Sequence, residues 1–261
     1  MSFLTESTRL SRNDFIAQVV AGKVPGYSYL FKIGNNPNIP NGVNTVDIWG
    51  GGGLYTGQPA TGLAEKIHVF SNNAADTSAG TGAQTIVLYG LDDLFQEQME
   101  VVTMNGVTPV LTTKFWRRMN KAIVLTTGTA NFNVGTITAR HQTTITNVFM
   151  VMQPGTNETH NTAYTIPAGK TGFLGEWRAF LTDAQATYGR MTGFARPFGA
   201  AWRSVAPISL HREQNLFLDF KYGLALPEKT DLRVSCLEVS SDNTSISSSY
   251  TMLLIDNNKL T

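Results

Sequence analysis

Short runs of alternating apolar and polar residues, separated by turn-forming residues about every 8 to 15 positions, constrain the fold of this chain most. Alternation with a period of two is typical of a β-strand that has one buried face. Regularly spaced turns between such strands are typical of a β-sandwich or a β-barrel. The sequence therefore predicts a mainly β protein.

The strongest turn signal is Asn105-Gly106, which separates EQMEVVTM at 97–104 from VTPVLT at 107–112. Asn-Gly favours the two-residue turn of a β-hairpin because both positions adopt positive φ readily. We therefore expect a hairpin here. Alternation assigns two faces to its first strand, with Met99, Val101 and Thr103 on one face and Glu100, Val102 and Met104 on the other.

A second run, YGRMTGFAR at 188–196, alternates in the same way. One of its faces carries only small residues and a methionine: Gly189, Met191, Gly193 and Ala195. Another sheet can approach such a face closely, because glycine and alanine leave space above the strand. This run is expected to pack against a second sheet.

The length of 261 residues suits two sandwiches of modest size. We interpret the polar segment HQTTITN at 141–147 as the link between them. The predicted fold is two antiparallel β-sandwich, jelly-roll-like domains at 46–140 and 148–261, the second with about eight strands. Residues 1–45 are expected to form a short helix and an extended arm, because the segment 24–44 is rich in Pro, Gly and Asn.

The N-terminal helix is predicted from a capping pattern at Ser11 and Asp14 and from Gly22 and Pro25 at its end. Its apolar residues Phe15, Ile16, Val19 and Val20 fall on one helical face. A helix of this length is marginal alone, so this face must pack on something. Two partners are possible, the first β domain of the same chain or a neighbouring subunit, and Phe15, Ile16 and Val19 are candidate subunit or capsid contacts.

The segment DIWGGGGLY at 47–55 places four glycines between two aromatic residues. It is not expected to bind phosphate, because a phosphate loop needs a following helix and a Lys with Ser or Thr. Two interpretations are left, a flexible hinge or a closely packed crossing between the arm and the first sandwich. We favour the crossing, since Trp49 and Tyr55 can lie over a glycine backbone, and we add both aromatics to the candidate subunit or capsid contacts.

No metal, cofactor or catalytic residue is predicted. The histidines at 68, 141, 160 and 211 lack the spacing of zinc ligands. Asp92-Asp93 with Glu97 lacks the alternating pattern of a calcium loop, and no nucleophile motif such as GxSxG is present. We expect a non-enzymatic protein; the alternative left open is an active site assembled from residues distant in sequence.

Cys236, the single cysteine, is expected to be a small buried hydrophobe.

Charge identifies no partner. The chain has 20 Lys and Arg against 19 Asp and Glu, a net charge of +1, so no strong field attracts nucleic acid or an anionic membrane. The basic and aromatic cluster KFWRRMNK at 114–121 permits contact with nucleic acid. We favour pairing of its cations with Asp92, Glu97 and Glu100 on a neighbouring strand pair.

No signal peptide or membrane span is evident, so we expect a soluble protein that is made in the cytoplasm.

Several segments, in this order, resemble a group of virion structural proteins of tailed bacteriophages. They are GKVPGYSYLFKIGNNPNI, DIWGGGGLYTG, SNNAADTSAGTGAQTIVLYGLDDLFQEQMEVVTMNGVTPV, WRRMNKAIVLTTG, NVGTITAR and YTIPAGKTGFL. Each motif is mostly turn and strand chemistry, so the order of the segments carries the resemblance. Members of this group bring no catalytic or metal-binding residues to transfer.

The resemblance implies a structural protein located in the virion, with other virion proteins as partners. The leading hypothesis is a homo-oligomeric capsid decoration, cement or vertex-associated protein, with a trimer as the preferred state. One alternative is a tail component, such as an adaptor-associated, fibre-base or receptor-binding protein. A second alternative is a carbohydrate-binding sandwich, suggested by Tyr188, Trp177, Phe198 and Trp202 in the second half.

Overall fold

The computed structural model describes residues 15–181, 186–212 and 215–260. Within these ranges the chain forms one α-helix, sixteen β-strands and a 3-10 helix. The elements are α1 Phe15–Val20, β1 Tyr27–Ile39, β2 Gly42–Asp47, β3 Ile67–Ser71, β4 Ala83–Leu91, β5 Glu97–Thr103, β6 Val110–Leu111, β7 Arg118–Thr127, β8 Ile137–His141, β9 Val148–Met152, β10 Tyr164–Thr165, β11 Lys170–Leu181, β12 Tyr188–Pro197, β13 Arg203–His211, β14 Asn215–Leu226, β15 Thr230–Val239, β16 Thr244–Asp256 and the 3-10 helix Asn257–Lys259.

The strands form four small antiparallel sheets, so the predicted mainly β class is confirmed. Sheet I has the order β1-β16-β11-β14, and sheet II has the order β10-β15-β12-β13 with β2 also paired to β15. Sheet III has the order β6-β3-β8-β9, and sheet IV has the order β5-β4-β7. The predicted short N-terminal helix is present as α1, while its predicted start at Ser11 and Asp14 lies outside the described residues.

Eight strands of sheets I and II pair in a nested series. Strand β1 pairs with β16, β2 with β15, β11 with β14, and β12 with β13, all antiparallel. The chain between β2 and β11 contains all seven strands of sheets III and IV. The molecule therefore consists of an outer sandwich, made of sheets I and II, and an inserted sandwich, made of sheets III and IV. The inserted sandwich lies in the chain between β2 and β11.

Sheets I and II share one hydrophobic core. Trp177 and Tyr250 come from sheet I, and Met191, Val234 and Cys236 come from sheet II. Met191 and Ala195 are buried there, which confirms the predicted packing of the small face of residues 188–196. Cys236 is fully buried in the same core, as its position in an apolar run predicts.

Sheets III and IV share a second core. Ile67, Ile137 and Phe149 belong to sheet III, and Ile86 and Leu88 belong to sheet IV. This sandwich has four strands in one sheet and three in the other. A jelly roll needs eight strands, so the prediction of a jelly-roll-like domain at 46–140 is wrong for this half.

The pairings also correct the predicted boundaries at residues 45, 140 and 148. The segment 24–44 is not an arm, because Tyr27–Ile39 is a long strand paired with β16 and belongs to the outer sandwich. Residues 141–147 do not link the two halves; they connect β8 to β9, which pair within sheet III. The N-terminal strands therefore belong with the C-terminal half, and Val148–Met152 belongs with the first.

The predicted hairpin at Asn105-Gly106 is also wrong, although the turn is present. Gly106 has φ of +60°, and the Thr108 amide donates a hydrogen bond to the Asn105 carbonyl at 3.1 Å. The strand that follows, β6, pairs with β3 in sheet III instead of with β5 in sheet IV. The turn therefore carries the chain from sheet IV to sheet III, which lies on the other side of the shared core.

The predicted faces of the first of these strands are nevertheless correct. Val102 and Met104 are 3% and 1% exposed, whereas Met99 and Val101 are 54% and 47% exposed. Alternation therefore identified the buried side of β5. Among the described residues β5 pairs with β4, the strand just before it, and its other edge has no partner strand.

Candidate functional site

The glycine-rich segment after β2 lies at the junction of the two sandwiches. Trp49 and Tyr55 pack edge to face with ring centroids 5.1 Å apart, and they form a small buried cluster with Ala163. The Trp49 indole donates to the Gly53 carbonyl at 3.2 Å. The Tyr55 hydroxyl donates to the Phe149 carbonyl in β9 at 2.9 Å, so this cluster ties the outer sandwich to sheet III.

The four glycines are ordered by these contacts and by backbone geometry. Gly52 and Gly53 have φ of +67° and +62°, a region that favours glycine. A Cβ on Gly51 would lie 2.3 Å from the Trp49 ring. The closely packed crossing is confirmed in preference to a hinge, but it joins the outer sandwich to the inserted one, because the segment on its N-terminal side is a strand and not an arm.

Trp49 and Tyr55 are only 4% and 3% exposed within a single chain. Their aromatic rings fill the junction and do not reach the surface. The expectation that they contact another subunit is therefore corrected, because their side chains are already buried against their own chain.

We expect Gly51→Ala to lower the free energy of unfolding by about 1 to 3 kcal/mol, because the added methyl group displaces the Trp49 ring. Gly52→Ala is the matched control: a Cβ there has no atom of a described residue within 4 Å, so the positive φ is what opposes it. Urea unfolding measures both losses, and near-UV circular dichroism should change in Gly51→Ala only. Wild-type stability and an unchanged spectrum for Gly51→Ala would restore the hinge interpretation.

A buried carboxylate fixes the start of this segment. Asp47 accepts hydrogen bonds from the Tyr55 amide at 2.6 Å and from the Arg233 guanidinium at 3.0 Å. The Ser235 hydroxyl also donates to it. Burial raises the pKa of Asp47, and the Arg233 charge opposes that rise. The group therefore holds the end of β2 on β15.

A second buried carboxylate, Asp231 in β15, joins the sandwiches directly. Arg118 in β7 binds it through two nitrogens, with Nε to Oδ1 at 2.8 Å and Nη2 to Oδ2 at 3.0 Å. Arg196 in β12 donates to Oδ2 at 2.6 Å, and the Thr165 hydroxyl donates to Oδ1 at 2.7 Å. The side chains of Asp231 and Arg118 are 0% and 1% exposed. This is a buried charge network between β7 of the inserted sandwich and two strands of the outer one.

The basic and aromatic cluster at 114–121 is thus engaged inside the chain. Arg117 pairs with Asp93 and donates to the Gly62 carbonyl at 2.8 Å. Lys121 pairs with Glu158 at 2.9 Å. Intramolecular pairing is the better interpretation, as predicted, but the carboxylates are Asp93, Asp231 and Glu158 and not the predicted Asp92, Glu97 and Glu100.

The four aromatic residues of the carbohydrate hypothesis have separate positions. Trp177 is buried in the outer core, and the Tyr188 hydroxyl donates to Glu238 at 2.8 Å. The guanidinium groups of Arg196 and Arg233 lie over the Trp202 ring at 4.3 and 4.2 Å. Phe198 packs on Phe95 at 4.9 Å. Because Trp177 is buried and Trp202 is occupied by two cations, these residues do not form the predicted sugar-binding platform.

Helix α1 lies on the outer face of sheet I. Val19 is 3% exposed, and the Phe15 ring packs edge to face on Tyr27 of β1 at 5.3 Å. The helix therefore docks on its own chain, but on β1 of the outer sandwich and not on the first β domain at 46–140 that was the predicted intramolecular partner. Phe15 and Ile16 are 43% and 40% exposed and keep part of their apolar surface in solvent. Of the predicted subunit contacts, only these two reach the surface.

Beside the helix lies a groove of about 380 Å³ in sheet I. Ile16, Tyr29, Phe173 and Leu253 line it together with charged residues of β14. Farther along β16 the same face carries Ser245, Ser247 and Ser249, which are half-buried. The outer face of sheet I is therefore apolar at one end and hydroxyl-rich at the other.

Among the described residues, no group of three or more His, Cys, Asp or Glu side chains is placed to hold a metal ion. No helix in the described ranges is long and apolar enough to cross a membrane.

No family model matches the sequence, and no curated protein matches it either. Among solved structures, the chain is similar to a structure of infectious bursal disease virus, Gx strain, with 10% identity, coverage of 93% of this chain and 77% of that chain, and a TM-score of 0.24. It is also similar to the crystal structure of the VP2 subviral particle of the same virus, with 10% identity, coverage of 94% and 78%, and a TM-score of 0.27. At these TM-scores the similarities establish neither a family nor a function.

Proposed function

We propose that the chain is a non-enzymatic structural component of a bacteriophage virion and that it assembles with other virion proteins through the outer face of sheet I. The observation that carries this proposal is the nested pairing of β1, β2 and β11–β16. We infer that these eight strands form a jelly roll. In a jelly roll a long hairpin folds into two sheets, so the first strand pairs with the last, the second with the second-last, and the remaining strands in the same way, as they do here. Viral capsid domains are among the proteins built this way.

The insertion supports the same proposal. A second sandwich between the second and third nested strands leaves the outer sandwich intact and is joined to it by the buried charge network at Asp231. Such a design gives one subunit two rigid parts, one for packing in a shell and one for projecting from it. The sequence resemblance to virion structural proteins of tailed phages supports a structural role in the virion.

Within the virion, we favour a homo-oligomeric capsid decoration, cement or vertex-associated protein, with a trimer as the preferred state. A net charge of +1 avoids repulsion between closely spaced copies. The partly exposed Phe15 and Ile16 beside the sheet I groove supply apolar surface that a neighbouring subunit can cover. A tail component remains the alternative, and separated heads and tails distinguish the two by which fraction retains the protein.

The experiment compares Ile16→Asp with Leu63→Asp. Both replacements put one negative charge on an exposed aliphatic residue, since Ile16 and Leu63 are 40% and 76% exposed. Leu63 lies in the loop before β3, next to Gly62, whose carbonyl accepts a hydrogen bond from Arg117, and it does not line the groove beside helix α1. We expect Ile16→Asp to keep the wild-type unfolding midpoint and to reduce incorporation into particles at least tenfold, while Leu63→Asp is incorporated normally. Equal incorporation of the two variants would remove helix α1 from the proposed interface.

A further inference from the structure

A cleft of about 370 Å³ separates sheet IV of the inserted sandwich from the N-terminal half of β1 in the outer sandwich. Its walls are largely apolar and aromatic, with Leu30 and Tyr164 on the outer sandwich and Tyr89 and Ile123 on sheet IV. This volume lies in the range of small-ligand sites in proteins. The cleft is distinct from the junction at Trp49 and from the face of sheet I that carries helix α1.

A buried amine lies in this cleft. Lys32 is on the core-facing side of β1 and is only 4% exposed. Its Nζ donates one hydrogen bond, to the Asn120 carbonyl at 2.6 Å. An ammonium group has three donors, and no carboxylate oxygen of a described residue lies within the 4.0 Å ion-pair distance of Nζ. Lys32 therefore has unused donor capacity at a site where water has little access.

The carboxylates around the cleft are already paired with other lysines. Glu158 binds Lys121 at 2.9 Å, and Glu97 binds Lys170 at 3.1 Å. Tyr89 and Tyr164 are the other titratable groups in the lining. Burial, followed by the charge of Lys121, lowers the pKa of Lys32 to about 7, while Glu158 acts in the opposite direction. Among the described residues, the carboxylates near the cleft are therefore committed to other lysines, and none of them pairs with Lys32.

The geometry points to a binding site for a small aliphatic carboxylate, with its carboxylate on Lys32 Nζ and its hydrocarbon tail between Leu30, Ile123 and the tyrosine rings. The carboxylate restores the missing counter-ion, and two charge-assisted hydrogen bonds fit the two remaining ammonium donors. The apolar walls accommodate the tail, so we expect a bare inorganic anion to bind less tightly. This assignment does not depend on where the chain resides in a virion.

Octanoate is the probe, studied by isothermal titration calorimetry with the full chain. Because carboxylate binding favours charged Lys32, binding at pH 8 must take up a proton that the free amine lacks, whereas binding at pH 6 takes up much less. Titration in two buffers of different ionisation enthalpy measures this uptake. We expect uptake that approaches one proton at pH 8. Octanol lacks the carboxylate charge and acetate lacks the hydrocarbon tail. Each should bind at least tenfold more weakly than octanoate.

Lys32→Met tests the residue, because methionine fits a buried, unbranched site without a charge. We expect it to lower octanoate affinity at least tenfold and to abolish proton uptake. Lys66→Met, at a lysine outside the cleft, is the matched control and should bind octanoate as the wild type does. Absence of octanoate binding to the wild type, or equal binding without proton uptake in Lys32→Met, would overturn the assignment.

Discussion

Replacing Asp231 with alanine should lower the free energy of unfolding by about 3 to 5 kcal/mol, because breaking a buried ion pair leaves an uncompensated buried charge. The substitution leaves two guanidinium groups, Arg118 and Arg196, without their carboxylate. Both side chains are at most 6% exposed, so water cannot take its place without opening the junction. Urea unfolding followed by circular dichroism measures the loss.

The matched control is Glu176→Ala, which removes the acidic partner of Arg178 at the surface. Both members of that pair are exposed, at 39% and 52%, and exposed ion pairs contribute little to stability. A loss for Asp231→Ala as small as that for Glu176→Ala would show that the charge network does not hold the sandwiches together.

Replacing Asp76 with alanine should cost about 3 kcal/mol or more and should act on the inserted sandwich, because several donors lose one shared acceptor. Asp76 is fully buried and accepts hydrogen bonds from the amides of Ala83, Val134 and Gly135 at 2.8 to 2.9 Å. The Ser71 hydroxyl donates to it at 2.6 Å. Native-state hydrogen exchange should show lost protection in β3, β4 and β8, with β11–β16 much less affected.

Asp92→Ala is the control for this replacement. Asp92 also accepts backbone hydrogen bonds, from the Leu94 and Gln96 amides, but in an exposed turn where water can replace it. We expect a loss of about 1 kcal/mol or less there. Equal losses for the two aspartates would mean that burial of Asp76 is not what makes it important.

Local sequence pattern was enough to find most strands and their buried faces. Strand β5 shows why, because each position from Met99 to Met104 alternates between solvent and core, and this alternation depends only on the strand itself. The same holds for the small face of β12. The crossing at DIWGGGGLY was also predictable, since four glycines beside two aromatic rings favour close packing.

Strand pairing was not predictable from local pattern, because it depends on contacts far apart in the sequence. Strand β1 pairs with β16 at the other end of the chain, and its Pro and Asn content suggested a loop. The structure accommodates Pro37 at a register shift between Asn36 and Ile39, where a proline costs little in ladder hydrogen bonds. The turn at Asn105-Gly106 likewise forms without a hairpin, because the strand after it, β6, pairs with β3 in sheet III.

Sequence analysis missed the buried charged residues of the junction and of the cleft. Asp47, Asp231 and Lys32 all lie in strands at buried positions. The sequence did contain a signal for them, which is a charged residue at a core-facing position of an alternating strand. In YSYLFKIG, for example, Lys32 shares a face with Leu30. Such a signal marks a buried charge but not its partner, because Arg118 and Asp231 are brought together only by the fold.

Absolute quantification of the chain in purified particles by mass spectrometry, with isotope-labelled peptides as standards, tests the central claim most directly. A structural component of the virion shell should co-purify with particles at a fixed ratio to the major capsid protein, in tens to hundreds of copies. A protein that is abundant in infected cells but absent from purified particles would contradict the proposed function.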